Sequence, residues 1–145
     1  TQKDIPSLTM TLSDTTLTFG DLSTASVATD TITVTVTTNA ENGYAATVVA
    51  DGDFRKSSDA TKTIANVSDG TVSAGGNEYG FATSGTDGQY NATDTSVTTS
   101  PKTFASRTGW GSSVETVLTF KVSPSTGTTS GAYTQSLTVI VTGTF

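Results

Sequence analysis

The sequence of 145 residues contains neither histidine nor cysteine. Without histidine there is no imidazole to act as a general base near neutral pH, and without cysteine there is no thiolate nucleophile and no disulfide. No serine lies in the Gly-x-Ser-x-Gly elbow that positions a hydrolase nucleophile. These absences argue against an enzyme, and we expect no cofactor.

Basic residues are also scarce, with 7 lysines and arginines against 13 acidic residues and a net charge of −6. Because a negative surface repels phosphate groups, nucleic acid is not an expected partner. No signal peptide and no apolar stretch long enough to span a membrane is visible in residues 1–145. An acidic chain rich in Thr, Ser and Gly is typical of secreted proteins, and its start at Thr1 suits a mature chain whose leader has been removed. We therefore expect a location at the cell surface or outside the cell.

Threonine is abundant, at about a quarter of the residues, and its β-branched side chain favours strands over helices. Apolar and polar residues alternate with a period of two in residues 31–38. The turn-forming segment 39–43 follows, and residues 44–50 are predicted to return as the partner strand of a hairpin. Further short strands are predicted around Phe54, Ile64, residues 78–83, Phe104 and residues 114–122. Seven to nine strands in one domain predict an all-β protein with an immunoglobulin-like β-sandwich.

The two ends of the chain carry complementary apolar patterns. Residues 131–145 alternate as one long strand, whose apolar face consists of Tyr133, Leu137, Val139, Val141 and Phe145. A strand at the end of a chain has no later segment to pair with, and an open strand edge must be covered. The free segment with matching alternation is N-terminal and carries Ile5, Leu8, Met10 and Leu12.

Several short motifs support a resemblance to a known family. They are Leu17-Thr-Phe-Gly20, which we predict as a short strand, Gly43-Tyr44, Tyr79-Gly80, Trp110-Gly111, and the stretch from Gly131-Ala-Tyr-Thr to Phe145. In these motifs the chain resembles the spore coat protein U-like family, to which the subunits of archaic chaperone–usher pili belong. The resemblance is spread over most of the chain.

The resemblance implies a structural filament subunit that polymerises by donor-strand complementation for adhesion or biofilm formation. In this interpretation residues 1–13 are a donor extension and residues 14–145 are a sandwich that lacks one strand. The donor residues Ile5, Leu8, Met10 and Leu12 enter the groove of a neighbouring identical subunit, beside the strand that ends the chain, and a chaperone assists assembly. The alternative is that residues 8–12 fold back on their own domain through a loop at 13–16.

Other interpretations remain open. A non-polymerising adhesin would bind glycan or protein through residues 85–90 or around Trp110, although a lone tryptophan beside glycine is more often a core residue. Asp51 and Asp53 could act as a carboxylate pair or, together with Asp59 or Asp69, as Ca²⁺ ligands, but the turn composition of Asp51-Gly-Asp53 favours a solvated loop. Asn66 and Asn91 lie in N-glycosylation sequons.

Overall fold

The computed structural model describes residues 4–145, which form ten β-strands. The strands are β1 (Leu8–Leu12), β2 (Ala28–Thr38), β3 (Tyr44–Ala50), β4 (Phe54–Lys56), β5 (Asp59–Asn66), β6 (Glu78–Ser84), β7 (Lys102–Arg107), β8 (Gly111–Ser123), β9 (Tyr133–Thr134) and β10 (Leu137–Gly143). The described residues contain no helix, so none could cross a membrane. The prediction of an all-β protein is confirmed.

The strands form two sheets that pack face to face as a sandwich. The larger sheet has seven strands in the order β1-β2-β8-β6-β5-β4-β9, and the smaller has three in the order β10-β3-β7. β2 and β8 form the longest antiparallel pair of the larger sheet, and β5 and β6 are parallel. In β2, threonines alternate with Ile32, Val34 and Val36, and in β3 every second residue from Tyr44 to Ala50 is buried, so each sheet turns an apolar face inward.

The core between the sheets combines aliphatic residues with a row of aromatic rings. Phe81 and Phe120 are almost fully buried, with ring centroids 5.4 Å apart. Tyr79 stacks on Phe54 with 4.6 Å between the ring centroids. Offset aromatic pairs of this kind add to the stabilisation that area burial provides.

The predicted hairpin of residues 31–50 is wrong, although both of its strands exist. β2 pairs with β1 and β8, whereas β3 pairs with β10 and β7 in the opposite sheet. The connection is an arch in which Ala40 is fully buried and the Gly43 amide donates to the Ala40 carbonyl at 3.1 Å. The chain crosses between the sheets there, so that the inward residues of β2 and β3 meet across the core.

Two other strand predictions also differ from the structure. Residues 17–20 form no strand, but Leu17 and Phe19 pack against the core from the loop between β1 and β2. Residues 131–145 do not form one strand. They split into β9, which pairs with β4, and β10, which pairs with β3 in the other sheet. The chain passes from one sheet to the other at Ser136. The Asp51 amide donates to the Ser136 carbonyl, and the Ser136 amide donates to the Asp51 carboxylate.

Candidate functional site

A large apolar groove opens between the edges of the two sheets. One wall is the end of β1 with the loop of residues 14–22, and the other is residues 128–137 with β10. The floor consists of core side chains that include Val34, Val48 and Phe120. Its volume of about 1190 Å³ exceeds the range of roughly 300–1,000 Å³ that is usual for small-molecule sites. A groove of this size and lining suits an extended peptide segment better than a compact ligand.

Strand β10 presents a free backbone edge beside this groove. Within residues 4–145 it pairs only with β3. Backbone hydrogen bonds join Ser136 to Asp51, just after β3, and Thr144 to Gly43, just before β3. Because antiparallel ladders alternate, the N–H and C=O groups of Leu137, Val139 and Val141 point away from β3. They are therefore available to an additional strand.

The inward side chains of β10 are only half-buried. Leu137, Val139 and Val141 face the core, while Ile140 on the opposite face is 49% exposed. In a closed sandwich the inward residues of a seven-residue strand are covered on both sides. Here the side of the strand that borders the groove has no covering layer among the described residues.

The predicted acceptor residues are only partly brought together. Tyr133, Leu137 and Val139 line the groove, Tyr133 from β9 and the other two from β10. Val141 packs against the core beyond the lining, and Phe145 is 54% exposed past the end of β10. The strand interpretation of residues 131–145 assigned Phe145 to the apolar face by alternation, which ends at Gly143.

Other groove residues were not predicted as part of the site. Leu17, Phe19 and Leu22 line it from the loop between β1 and β2. The Phe19 ring meets the Phe54 ring edge to face, with centroids 6.2 Å apart. The alternation of Leu17 and Phe19 was the available sequence signal, but it indicated a strand and gave no information about its position.

The predicted donor segment lies in its own sheet. β1 pairs antiparallel with β2, with Leu8 opposite Thr38, Met10 opposite Val36 and Leu12 opposite Val34. The side chains of Leu8, Met10 and Leu12 point inward and are half-buried. Ile5 precedes the strand and is 83% exposed. Residues 1–3 of the predicted extension lie outside the described residues.

β1 pairs within its own chain, as in the self-pairing alternative, but with a different partner strand from the one that a short loop at residues 13–16 implies. The partner of β1 is β2, not residues 17–20, and a connection of residues 13–27 without a strand lies between them. The backbone groups of Leu8, Met10 and Leu12 face away from β2, because the neighbouring residues Ser7 and Ser13 bond to it. Among residues 4–145 the outer edge of β1 is therefore unpaired, like that of β10, and Leu12 at the end of β1 borders the groove.

The acidic pair at residues 51–53 has a structural role near the start of β10. Asp51 pairs with Arg55 at 2.8 Å and accepts the Ser136 amide at 3.0 Å. The hydrogen bond from Arg55, followed by that from Ser136, lowers the pKa of Asp51 to about 2. The described residues contain no group of three acidic side chains placed to hold a metal ion.

The two sequon asparagines differ in their surroundings. Asn66 ends β5 and is half-buried. Asn91 is exposed, but its side-chain amide donates to the Gly85 carbonyl at 2.9 Å and its oxygen accepts the Thr83 hydroxyl at 2.7 Å. A glycan on Asn91 would have to leave room for these two hydrogen bonds.

No protein-family model matches the chain, and no curated protein is significantly similar to it. The architecture of the groove is therefore the basis for a functional proposal.

Proposed function

We propose that the protein is a structural subunit of an extracellular filament that polymerises head-to-tail by donor-strand complementation. The observation that carries this proposal is the apolar groove beside the free edge of β10. An extended strand with alternating apolar side chains would satisfy both, since its backbone would pair with β10 and its side chains would fill the groove. Filament formation requires no catalysis and no cofactor.

The donor in this proposal is the segment that carries Ile5, Leu8, Met10 and Leu12, supplied by a neighbouring copy. In the single chain this segment is an edge strand, half-buried and tied to the domain by the irregular connection of residues 13–27. A long connection allows an edge strand to leave without unfolding the rest of the sandwich. Because the donor segment of one subunit binds a different surface, the groove of the next subunit, the interface is head-to-tail. Such a contact does not close on itself and produces a fibre.

The exchange replaces one strand pairing by another. Each copy gives up a ladder between β1 and β2 and gains one of similar length beside β10, so the hydrogen-bond contribution nearly cancels. The gain comes from completing the burial of the inward side chains of β10, at about 1 kcal/mol for each half-exposed residue. Because association also costs translational and rotational freedom, we expect assembly to depend on protein concentration and on a chaperone that holds the unassembled subunit.

Deletion of residues 1–12 tests the role of the donor segment. The full chain is expected to form regular filaments in negative-stain micrographs, and the deletion variant is expected to form none. A variant that carries residues 1–12 after Phe145 on a flexible linker should be a stable monomer, because the segment can fill the groove of its own domain. Filaments from the deletion variant would contradict the assignment of the donor.

Two neighbouring residues of β10 test the acceptor. Val139 points into the groove, whereas Ile140 points to the opposite face. Val139→Asp should abolish filaments, because the insertion of an apolar strand would bury an unpaired charge. Ile140→Asp is the matched control and should assemble normally. Equal assembly of the two variants would mean that the groove does not receive a strand.

A further inference from the structure

Trp110, the single tryptophan, is at the surface and not in the core. It lies in the turn between β7 and β8 and is 71% exposed, so the interpretation as a core residue is wrong. Gly109 and Gly111 flank it. Gly109 has a φ of 110°, and apart from its two neighbours in the chain no atom of residues 4–145 lies within 4 Å of the position that a Cβ atom would take there. The indole ring therefore projects from an exposed turn, and the space beside Gly109 is open.

A fixed arginine shares the same surface. Arg107 ends β7, and its Nε donates to Asp87 Oδ2 at 3.0 Å. Asp87 is 5% exposed and also accepts the Tyr44 hydroxyl at 2.6 Å. This bond uses Nε and leaves the two terminal guanidinium nitrogens as further donors. The buried carboxylate thus orients the guanidinium and balances its charge.

Arg107 and Trp110 line one concavity together with Thr108 and Ser112. Its volume is about 500 Å³, which is within the usual range for small-ligand sites. The adjoining backbone is irregular, because the register of β2 and β8 shifts before Gly111 and Ser113 has a φ of 50°. Bulges and positive φ values at residues other than glycine are concentrated at functional sites, where they direct side chains.

We propose that this concavity is a binding site for a neutral saccharide. The apolar face of a pyranose ring would stack on the Trp110 indole. Sugar hydroxyls would accept hydrogen bonds from the terminal nitrogens of Arg107, and they would donate to or accept from the hydroxyl groups of Thr108 and Ser112. A neutral sugar fits better than an acidic one because Asp87 already balances the charge of Arg107. The net charge of −6 also disfavours a polyanion. This site is separate from the groove and does not depend on filament formation.

The fluorescence of Trp110 gives a direct test, since the chain has no other tryptophan. Neutral oligosaccharides that contain glucose, galactose, mannose or N-acetylglucosamine, and uronic acid oligosaccharides for comparison, are titrated into the full chain at constant protein concentration. A neutral sugar is expected to shift or quench the emission saturably, and the affinity should vary little between 50 mM and 500 mM salt. Calorimetry then gives the affinity of the variants for that sugar.

Trp110→Ala is expected to abolish binding, and Arg107→Lys to weaken it at least tenfold while keeping a cation beside Asp87. Phe145→Ala, which removes an exposed aromatic ring elsewhere, is the matched control and should bind normally. Melting temperatures would show that each variant is folded. Three results would overturn the proposal: no response to any neutral sugar up to 50 mM, unchanged affinity in Trp110→Ala, or binding confined to acidic sugars. A shift of the emission with protein concentration alone would also overturn it, because Trp110 would then be covered by another copy.

Discussion

A disulfide between β1 and β2 would decide whether β1 is the strand that is exchanged between subunits. Thr11 on β1 lies opposite Thr35 on β2, and both side chains point away from the core. Ladder bonds at Ser13 and Ser7 identify this position as a hydrogen-bonded pair, for which Cα atoms are about 5.5 Å apart. That separation is close to the most common value for disulfides. Since the protein has no other cysteine, Thr11→Cys with Thr35→Cys can form only this bond within the chain.

The oxidised double variant should be more stable than the reduced one. The bond closes a loop of about 25 residues, which corresponds to about 3.5 kcal/mol in the chain-entropy account of disulfide stabilisation. For a domain of this size, that free energy of unfolding corresponds to an increase in the melting temperature of roughly 10 °C. A smaller increase would indicate strain in the bond.

The oxidised variant should remain monomeric because β1 cannot leave its own sheet, and reduction should restore filaments. Light scattering and negative-stain microscopy at equal protein concentrations measure both states. Thr33→Cys with Val117→Cys is the matched control, since this pair joins β2 to β8 and leaves β1 free. Filaments of normal length from oxidised Thr11→Cys/Thr35→Cys would refute the exchange of β1.

Three further predictions concern stability. Gly43→Ala should destabilise the domain by about 2 kcal/mol more than Gly109→Ala, as measured by urea unfolding. Both glycines have positive φ, but only at Gly43 would a Cβ atom collide with the backbone at the end of β7. Asp87→Asn should cost about 3 kcal/mol, because it leaves a partly buried guanidinium without its charge partner. The pKa of Asp51 lies at about 2 in the folded state, below the unfolded value of about 3.9. The stabilisation of the folded state by ionised Asp51 is therefore present above about pH 4 and is lost as the pH falls towards 2. Asp51→Asn should remove that part of the pH dependence of the free energy of unfolding.

The local patterns predicted strands well because period-two alternation is a property of the strand itself. The regular Thr ladder of β2 and the apolar alternation of β8 and β10 appear in the structure as strands with inward apolar faces. The alternation of residues 17–20 was misleading, because two apolar side chains can also anchor a loop to a core. Trp110 was misassigned because burial depends on neighbours that are distant in the sequence.

The sequence by itself determined the class of fold and the inward face of each main strand, since composition and alternation act through local backbone preference and burial. The pairing of the strands was decided only by the tertiary structure. A turn such as residues 39–43 can join two strands within one sheet or pass between sheets, and the choice depends on how the apolar faces meet across the core. The groove beside β10 arises in the same way, because it is the space left between two sheet edges that the sequence does not show to be neighbours.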